Sequence, residues 1–406
     1  MVDVVVVGGG VIGLTTAVEL ASAKLRVSVL DTRDFDHGTS HGNAGLLCPS
    51  YVTPIASPRV LLTALGWLIR GDGPFALARP PWKADMAGWL ARFVVACASE
   101  GEIATGFLAG LARRSIEWYD DFARNSPEFG LRRSGWLYVY KTRRGLNEGI
   151  RHARAVGKAN VSSQILSARE AIDREPGLRD PVGAIYYPGD AHLDPHSFVL
   201  AAGRRARQLG VEMVGNSRVL CIRPSADQVS VVTENGEVTA SQVILASGAS
   251  TPTLVRNLGT KVPVLPARGH SASLFSDYIP RMPLLLAEAH LVVTPMAKHL
   301  RMTGGLELGS FDAAPHPTKL DAMARHAGEY LSGGAPSYYD GWVGFRPLTP
   351  SGLPIVGHLT RHRRVIVACG HGTLGMTLAP ATAQVVRSIV HGEPPPFLLS
   401  PKRVGC

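Results

Sequence analysis

Two glycine-rich runs carry the spacings in this chain that could do chemistry. The first, Gly8-Gly9-Gly10-Val11-Ile12-Gly13, is a GxGxxG, and an acid, Asp31, stands 18 residues beyond its third glycine. Gly8 permits a sharp turn, Gly10 lets a pyrophosphate approach the backbone, and Gly13 lets a helix pack close to a strand. Val11 and Ile12 follow at a helix start, where free amides and the helix dipole favour an anion. Asp31 can accept hydrogen bonds from a ribose 2′-hydroxyl, and its charge disfavours a 2′-phosphate. Together these spacings describe dinucleotide binding. The second run, Gly370-His371-Gly372-Thr373-Leu374-Gly375, repeats the glycine spacing.

The elements that must position these runs are legible around them. Asp3–Val7 reads as a strand buried on both faces. Leu14–Ala23 reads as a helix, with Leu14, Ala17, Val18, Leu20 and Ala21 at helical spacing, and Arg26–Leu30 as a second strand. This is a βαβ unit of an α/β, Rossmann-like domain. The second run follows a strand at Val365–Ala368 and precedes a helix at Leu378–Val390, but Gly392-Glu-Pro-Pro-Pro comes next. That unit is incomplete, which argues against a separate nicotinamide domain. Its glycine-rich helix start still suits a flat, electron-accepting ring, because the dipole stabilises charge gained on reduction.

Composition sets the frame. The 406 residues suggest two or three domains. Apolar residues are 45% and charged residues 18%, which excludes wholesale disorder. No apolar run reaches the ~18 residues of a membrane span. Five dispersed cysteines without a CxxC argue against a zinc ribbon or a disulfide scaffold and fit a reducing, cytoplasmic compartment. The first strand begins so early that no secretory signal is expected. Net charge is 42 − 32 = +10, but the arginines are spread and no basic–aromatic motif appears, so no nucleic-acid partner is expected. The histidines show no metal-ligand pattern.

Gly38-Thr-Ser-His-Gly-Asn-Ala-Gly-Leu-Leu47, Glu175-Pro-Gly-Leu178, Pro188-Gly-Asp-Ala-His-Leu-Asp-Pro195 and Val243-Ile-Leu-Ala-Ser-Gly-Ala249 follow in order along the chain. Gly344-Phe-Arg-Pro-Leu-Thr-Pro-Ser-Gly-Leu-Pro-Ile-Val-Gly357 and Gly370-His-Gly-Thr-Leu-Gly-Met-Thr-Leu-Ala-Pro380 complete the series. With these motifs the chain resembles the FAD-dependent D-amino-acid oxidase superfamily, in its glycine oxidase and D-amino-acid dehydrogenase branch. The resemblance implies tightly bound FAD and a glutathione-reductase-like topology, with a Rossmann-like domain and a second, mixed-sheet substrate domain. It implies that Gly8, Gly10 and Gly13 hold the pyrophosphate and Asp31 the adenosine ribose. Thr39, Ser40, His41, Ala44, Gly45 and Leu46 line the flavin and phosphate path. Val219 offers its backbone to the adenine, and Ser247 and Gly248 lie near the cofactor. His371, Gly372, Thr373, Leu374, Gly375, Met376 and Thr377 surround the isoalloxazine. Arg346 clamps the substrate carboxylate, and His290 and Thr373 fall at further substrate positions.

Several positions depart from the family pattern. Asp31 replaces the more usual Glu, Ser351 stands where an Asp is common, and Thr373 stands where glycine oxidases place a second substrate-binding Arg. The last moves the match towards the dehydrogenases. Gly344 sits where monomeric sarcosine oxidases link flavin through a Cys, and His41 lies one residue from the linking His of dimethylglycine dehydrogenases. The implied flavin is therefore non-covalent. On this scheme 1–50, 193–260 and 340–406 form the FAD domain, and 51–192 and 261–339 the substrate domain.

The implied reaction oxidises a carbon–nitrogen bond beside a carboxylate. A guanidinium holds the carboxylate through two parallel hydrogen bonds. The α-hydrogen then leaves as hydride to flavin N5, and the imine hydrolyses. No protein acid or base is required at the carbon. Small D-, cyclic or N-substituted amino acids are the expected substrates, with oxygen or a quinone-type acceptor. An enzyme cleaving an N-carboxymethyl secondary amine to glyoxylate, and a flavoprotein subunit feeding a quinone or partner, are the alternatives. A Pro-punctuated stretch at 49–81 is compatible with a cover over the site or with peripheral membrane contact. Asp190 and Asp194 read as a turn and as a helix cap before Pro195.

Overall fold

The computed structural model describes residues 2–36, 38–53, 56, 75–77, 84–98, 101–296, 299–309, 311–334 and 336–394. Most of the 49–81 stretch, with Trp67, and also Trp82, lie outside the described residues. The chain begins β1 (Val2–Val7), α1 (Val11–Ser22), β2 (Val27–Leu30), β3 (Leu46–Leu47), β4 (Phe75–Leu77), α2 (Ala84–Cys97) and α3 (Gly101–Asn125). It continues through β5 (Trp136–Tyr140), α4 (Arg143–Gly157), β6 (Gln164–Ser167), α5 (Ala168–Arg174), β7 (Gly183–Tyr187), β8 (Ala191–His192) and α6 (Pro195–Gln208). Next come β9 (Glu212–Val214), β10 (Val219–Pro224), β11 (Val229–Thr233), β12 (Gly236–Leu245), α7 (Thr251–Arg256), β13 (Leu265–Phe275), β14 (Leu284–Leu286) and β15 (Leu291–Pro295). Last are β16 (Leu300–Leu308), α8 (Pro317–Tyr330), β17 (Ser337–Leu348), β18 (Ile355–Leu359), β19 (His362–Cys369) and α9 (Gly375–Val390).

Two large sheets result. In the first the order is β10-β11-β12-β1-β2-β9, and β19, backed by β18, pairs the later half of β12. β1 runs parallel to β2 and β12, and β12 parallel to β19. Their residues alternate between two buried faces: Val4, Val6, Val29, Ile244 and Ile366 on one, Val5, Val7, Leu245 and Val367 on the other. Such strands need helices on both sides, hence the continuous β-branched runs. α1 and α9 pack against each other over one face, so both glycine turns open at the same sheet end.

The second sheet runs β6-β7-β5-β14-β15-β16-β13-β17, with β4 added to β16. Leu137, Val139, Leu291, Val293, Met302, Ala272 and Leu274 pack beneath α8 residues Leu320, Ala324 and Ala327. By strand alternation the opposite face carries Trp136, Tyr138, Arg301, Thr303 and Ser271.

Some boundaries differ from the sequence reading. α1 starts at Val11, because the extended Gly10 already serves as its N-cap, and α9 starts at Gly375 rather than Leu378. His290 lies in the β14–β15 turn, with φ 49°. The change from the second sheet back to the first falls between Leu348 and Ile355, later than residue 340, so the strand bearing Arg346 belongs to the second sheet.

Candidate active site

The first glycine turn is shaped by what it excludes. A Cβ on Gly8 (φ 112°) would lie 2.6 Å from the Ala246 carbonyl oxygen, and one on Gly13 would lie 1.8 Å from the Gly8 oxygen. The helix therefore starts pressed against β1, with Ser247 beside the turn. Gly10 caps α1 without a side-chain hydrogen bond, and no acid occupies the first helical turn. The Val11 amide donates to Ser40 Oγ at 3.0 Å, which ties the 38–45 loop to the helix start. Asp31 Oδ2 accepts from the Gly9 amide at 2.6 Å and Oδ1 from the Arg33 amide at 3.0 Å. A carboxylate oxygen has a second lone pair, so these bonds leave room for a ribose hydroxyl. Val219 is buried at the start of β10, and Gly248 (φ 56°) lies in the turn after β12.

The second turn has the same character. α9 is capped by Leu374 without a side-chain bond, and its first turn is also free of acids. Gly370 (φ 80°) and Gly372 (φ 54°) need left-handed backbone. The Gly372 amide donates to the Pro347 carbonyl at 2.9 Å, and His371 bridges Leu348. The turn is thus bound to the end of β17. Thr377 Oγ1 donates to the Leu46 carbonyl at 3.2 Å, which seats β3 across the helix start. The Met376 carbonyl accepts from Tyr119 Oη at 2.7 Å. His371 is buried, pairs through Nε2 with Thr382 Oγ1 at 2.9 Å, and burial drives its pKa down to about 3. It is therefore a neutral ring at physiological pH. Thr373 is exposed, and its side chain makes no hydrogen bond among the described residues.

The 38–45 loop links the two turns. Asn43 bonds the Ser40 carbonyl and the Gly45 amide, both at 2.6 Å. Gly45 (φ 67°) is held where a Cβ would lie 2.1 Å from the Leu193 oxygen. Ala44 and Leu46 are partly buried beside it, Thr39 is exposed, and His41 packs edge-on against His196. Trp342 of β17 lies over both Gly42 and Gly344: a Cβ on either would meet its ring at 2.3 Å and 2.1 Å.

Arg346 reaches from β17 across β13. Its guanidinium lies over Gly269, where a Cβ would meet Nη1 at 2.0 Å. Nη1 donates to the Gly305 carbonyl at 2.7 Å. Among the described residues no carboxylate is within ion-pair distance of it. Burial lowers its pKa, and Tyr51 is the one electrostatic neighbour that counters this. A half-buried cation satisfied by one carbonyl is poised for an anionic ligand.

Tyr51 was not anticipated from the sequence, because nothing local marks it. Its ring is exposed, yet its crowded surroundings push the hydroxyl pKa up, and Arg346 pulls it back. It packs on Trp136 with ring centroids 5.6 Å apart. Behind it, Asp190 is fully buried and accepts from the Ser50 amide at 3.1 Å and from the Ser50 hydroxyl. Ser50 Oγ also meets Tyr138 Oη at 3.1 Å, and the Ser50 carbonyl meets His152 Nε2 at 3.0 Å. Burial raises Asp190 to about 7. Reading Asp190 as a plain turn residue missed this network, whereas Asp194 caps α6 as expected, accepting from the Ser197 amide at 2.8 Å. His290 is exposed, burial of its ring lowers its pKa, and its electrostatic neighbour is Glu288.

Comparisons with known proteins agree with this architecture. The chain is 32% identical over 406 residues to a D-amino acid dehydrogenase of Methylobacterium sp. (strain 4-46), covering 97% of this chain and 96% of the relative. It is 30% identical over 403 residues to a D-amino acid dehydrogenase of Paramagnetospirillum magneticum, covering 96% and 95%. Its fold superposes on the crystal structure of glycine oxidase from Geobacillus kaustophilus with a TM-score of 0.80 at 23% identity, covering 98% and 97%. Glycine positions that a Cβ would block, two uncapped helix starts without acids and an acid at the end of β2 fit FAD. The family model for FAD dependent oxidoreductases (DAO) matches residues 3–389, and the chain belongs to that family.

Proposed function

We propose that the chain oxidises the carbon–nitrogen bond of a small D-, cyclic or N-substituted amino acid whose carboxylate is held by Arg346. The observation that carries this is the half-buried Arg346 guanidinium, which bonds one backbone carbonyl and no acid among the described residues. The curated relatives named D-amino acid dehydrogenase support the substrate class.

Bound FAD supplies the two-electron acceptor. Gly8, Gly10, Val11, Ile12 and Gly13 hold its pyrophosphate in this reading, and Asp31 its ribose. Residues 370–377 hold the ring, where the α9 dipole favours the electron density gained on reduction. Arg346 fixes the substrate by two parallel hydrogen bonds, and so orients the α-carbon as well as the charge. Tyr51, protonated at neutral pH, can donate to the same carboxylate. His371 stores no proton above about pH 4, so catalysis rests on positioning rather than on a protein base.

The name dehydrogenase favours an acceptor other than oxygen, a quinone or a partner protein. No helix among the described residues is long and apolar enough to cross a membrane. Among the described residues Cys48, Cys97, Cys221 and Cys369 form no disulfide, which supports a reducing, cytoplasmic setting. The test is anaerobic flavin bleaching with D-alanine, D-proline, hydroxyproline and an N-alkylglycine, followed by reoxidation with air or with a quinone. Bleaching by a D- or cyclic amino acid and faster reoxidation by quinone are expected. Bleaching by the N-alkylglycine alone transfers the reading to N-carboxymethyl cleavage, and no bleaching by any amine overturns it.

A further inference from the structure

A second guanidinium shares the face of Arg346. Arg301 lies on β16 opposite Ser273 of β13 and Thr294 of β15. Its neighbours Leu300 and Met302 turn beneath α8, so alternation puts Arg301 on the other face. There it is half-buried and poorly compensated. Nη1 reaches Ser271 Oγ at 3.5 Å, and Nε and Nη2 reach His299 Nε2 at 3.4 and 3.1 Å. Asp194 and Asp340 are near enough to favour its charge. Neither is within ion-pair distance, and among the described residues no other carboxylate is.

The strand between them sets the spacing of the two cations. Arg346 stands over Gly269 and Arg301 reaches Ser271. These residues are two apart on β13, so they share a face at a separation of about 7 Å. Trp342, the cross-strand partner of Ser271, lies over Gly344 and supplies an apolar wall beside them.

We propose that Arg301 is a second carboxylate-binding position, selecting amino acids with a distal carboxylate four or five bonds from the first. The proposal rests on Arg346 holding the first carboxylate. Asp194 and Asp340 work against an anion here and keep the site selective for ligands that also engage Arg346.

The experiment titrates the flavin-loaded protein with butyrate and with glutarate, reading the ligand-induced shift in flavin absorbance. It then compares anaerobic flavin reduction by D-glutamate and D-glutamine. Wild type is expected to bind glutarate about tenfold tighter than butyrate, as one additional charge-assisted contact provides. Arg301→Gln is expected to bring that ratio to about one with butyrate affinity unchanged, and Arg301→Lys to restore part of it. The glutamate-to-glutamine ratio in kcat/KM should fall in parallel. Equal affinity of wild type for the two acids overturns the proposal, as does an Arg301→Gln ratio equal to wild type. Wild type decides the first point even where the variant does not fold. Butyrate binding without preference for glutarate sinks the second position alone. Failure of both acids to bind sinks the Arg346 clamp with it.

Discussion

Arg268 and Arg346 stand on adjacent strands, facing Phe345 and Ala267 across the same ladder, yet the protein treats them oppositely. Arg268 is 3% exposed, and its guanidinium meets Glu307 at 2.8 Å, Asp312 at 2.7 Å and His316 at 2.7 Å. Arg346, on the other face, bonds the Gly305 carbonyl and meets no carboxylate among the described residues. A buried cation costs free energy unless its donors are matched. On the α8 face the chain supplies the match. On the opposite face, in the function proposed above, the match is left to a ligand. Partner count among the described residues thus separates a cation that holds the sheet from one proposed to serve a site, although both are arginines in one ladder.

The strongest way to break the comparison is to remove each arginine in turn. Arg346→Ala should lower kcat/KM for flavin reduction by about 10²–10³-fold, the loss of two charge-assisted hydrogen bonds. Flavin content and urea midpoint should stay unchanged. Arg268→Ala should do the reverse, lowering stability by about 1–2 kcal/mol through lost charge-assisted hydrogen bonds, since Glu307 keeps Lys319 at 2.8 Å, with KM within about twofold of wild type. Equal damage to KM by both variants would erase the distinction.

Asp190 sharpens it. Burial raises this acid to about 7 in the folded chain against 3.8 as its ordinary value, and the Ser50 hydrogen bonds only partly oppose the shift. The folded state binds the proton more tightly, so stability is fullest below about pH 4. It should fall as pH rises towards 7, at a limiting slope of about 1.4 kcal/mol per pH unit, and level off above. Asp190→Asn, which keeps a carbonyl for the Ser50 amide, should flatten that slope in thermal melts from pH 4 to 8. An unchanged slope would mean that another group is responsible.

The smallest effect concerns the floor beneath the clamp. Gly269→Ala puts a Cβ where the Arg346 guanidinium now lies. The long side chain can swing aside, so the melting temperature should barely move. KM should rise about tenfold, consistent with a displaced bidentate contact. A lower melting temperature with normal KM would mean that Gly269 serves packing instead.

What the sequence showed and what it hid follow one physical line. β1, α1, β2 and the strand before the second glycine run were legible because apolar period and glycine spacing are local signals. The acid at the end of β2 was legible for the same reason. Contacts far apart along the chain were not. Ser50 meets Asp190 across 140 residues, Trp342 covers Gly42, and Gly269 makes room for Arg346. No window of sequence contains both halves of such a pair.

The bond from the Gly372 amide to the Pro347 carbonyl, with the bridge between Leu348 and His371, has a mechanical consequence. It rivets the strand that carries the guanidinium to the loop that opens the last helix. The span from the proposed substrate grip to the proposed ring cradle then behaves as a ruler rather than a hinge. A longer substrate is accommodated by extending away from that span, not by stretching it.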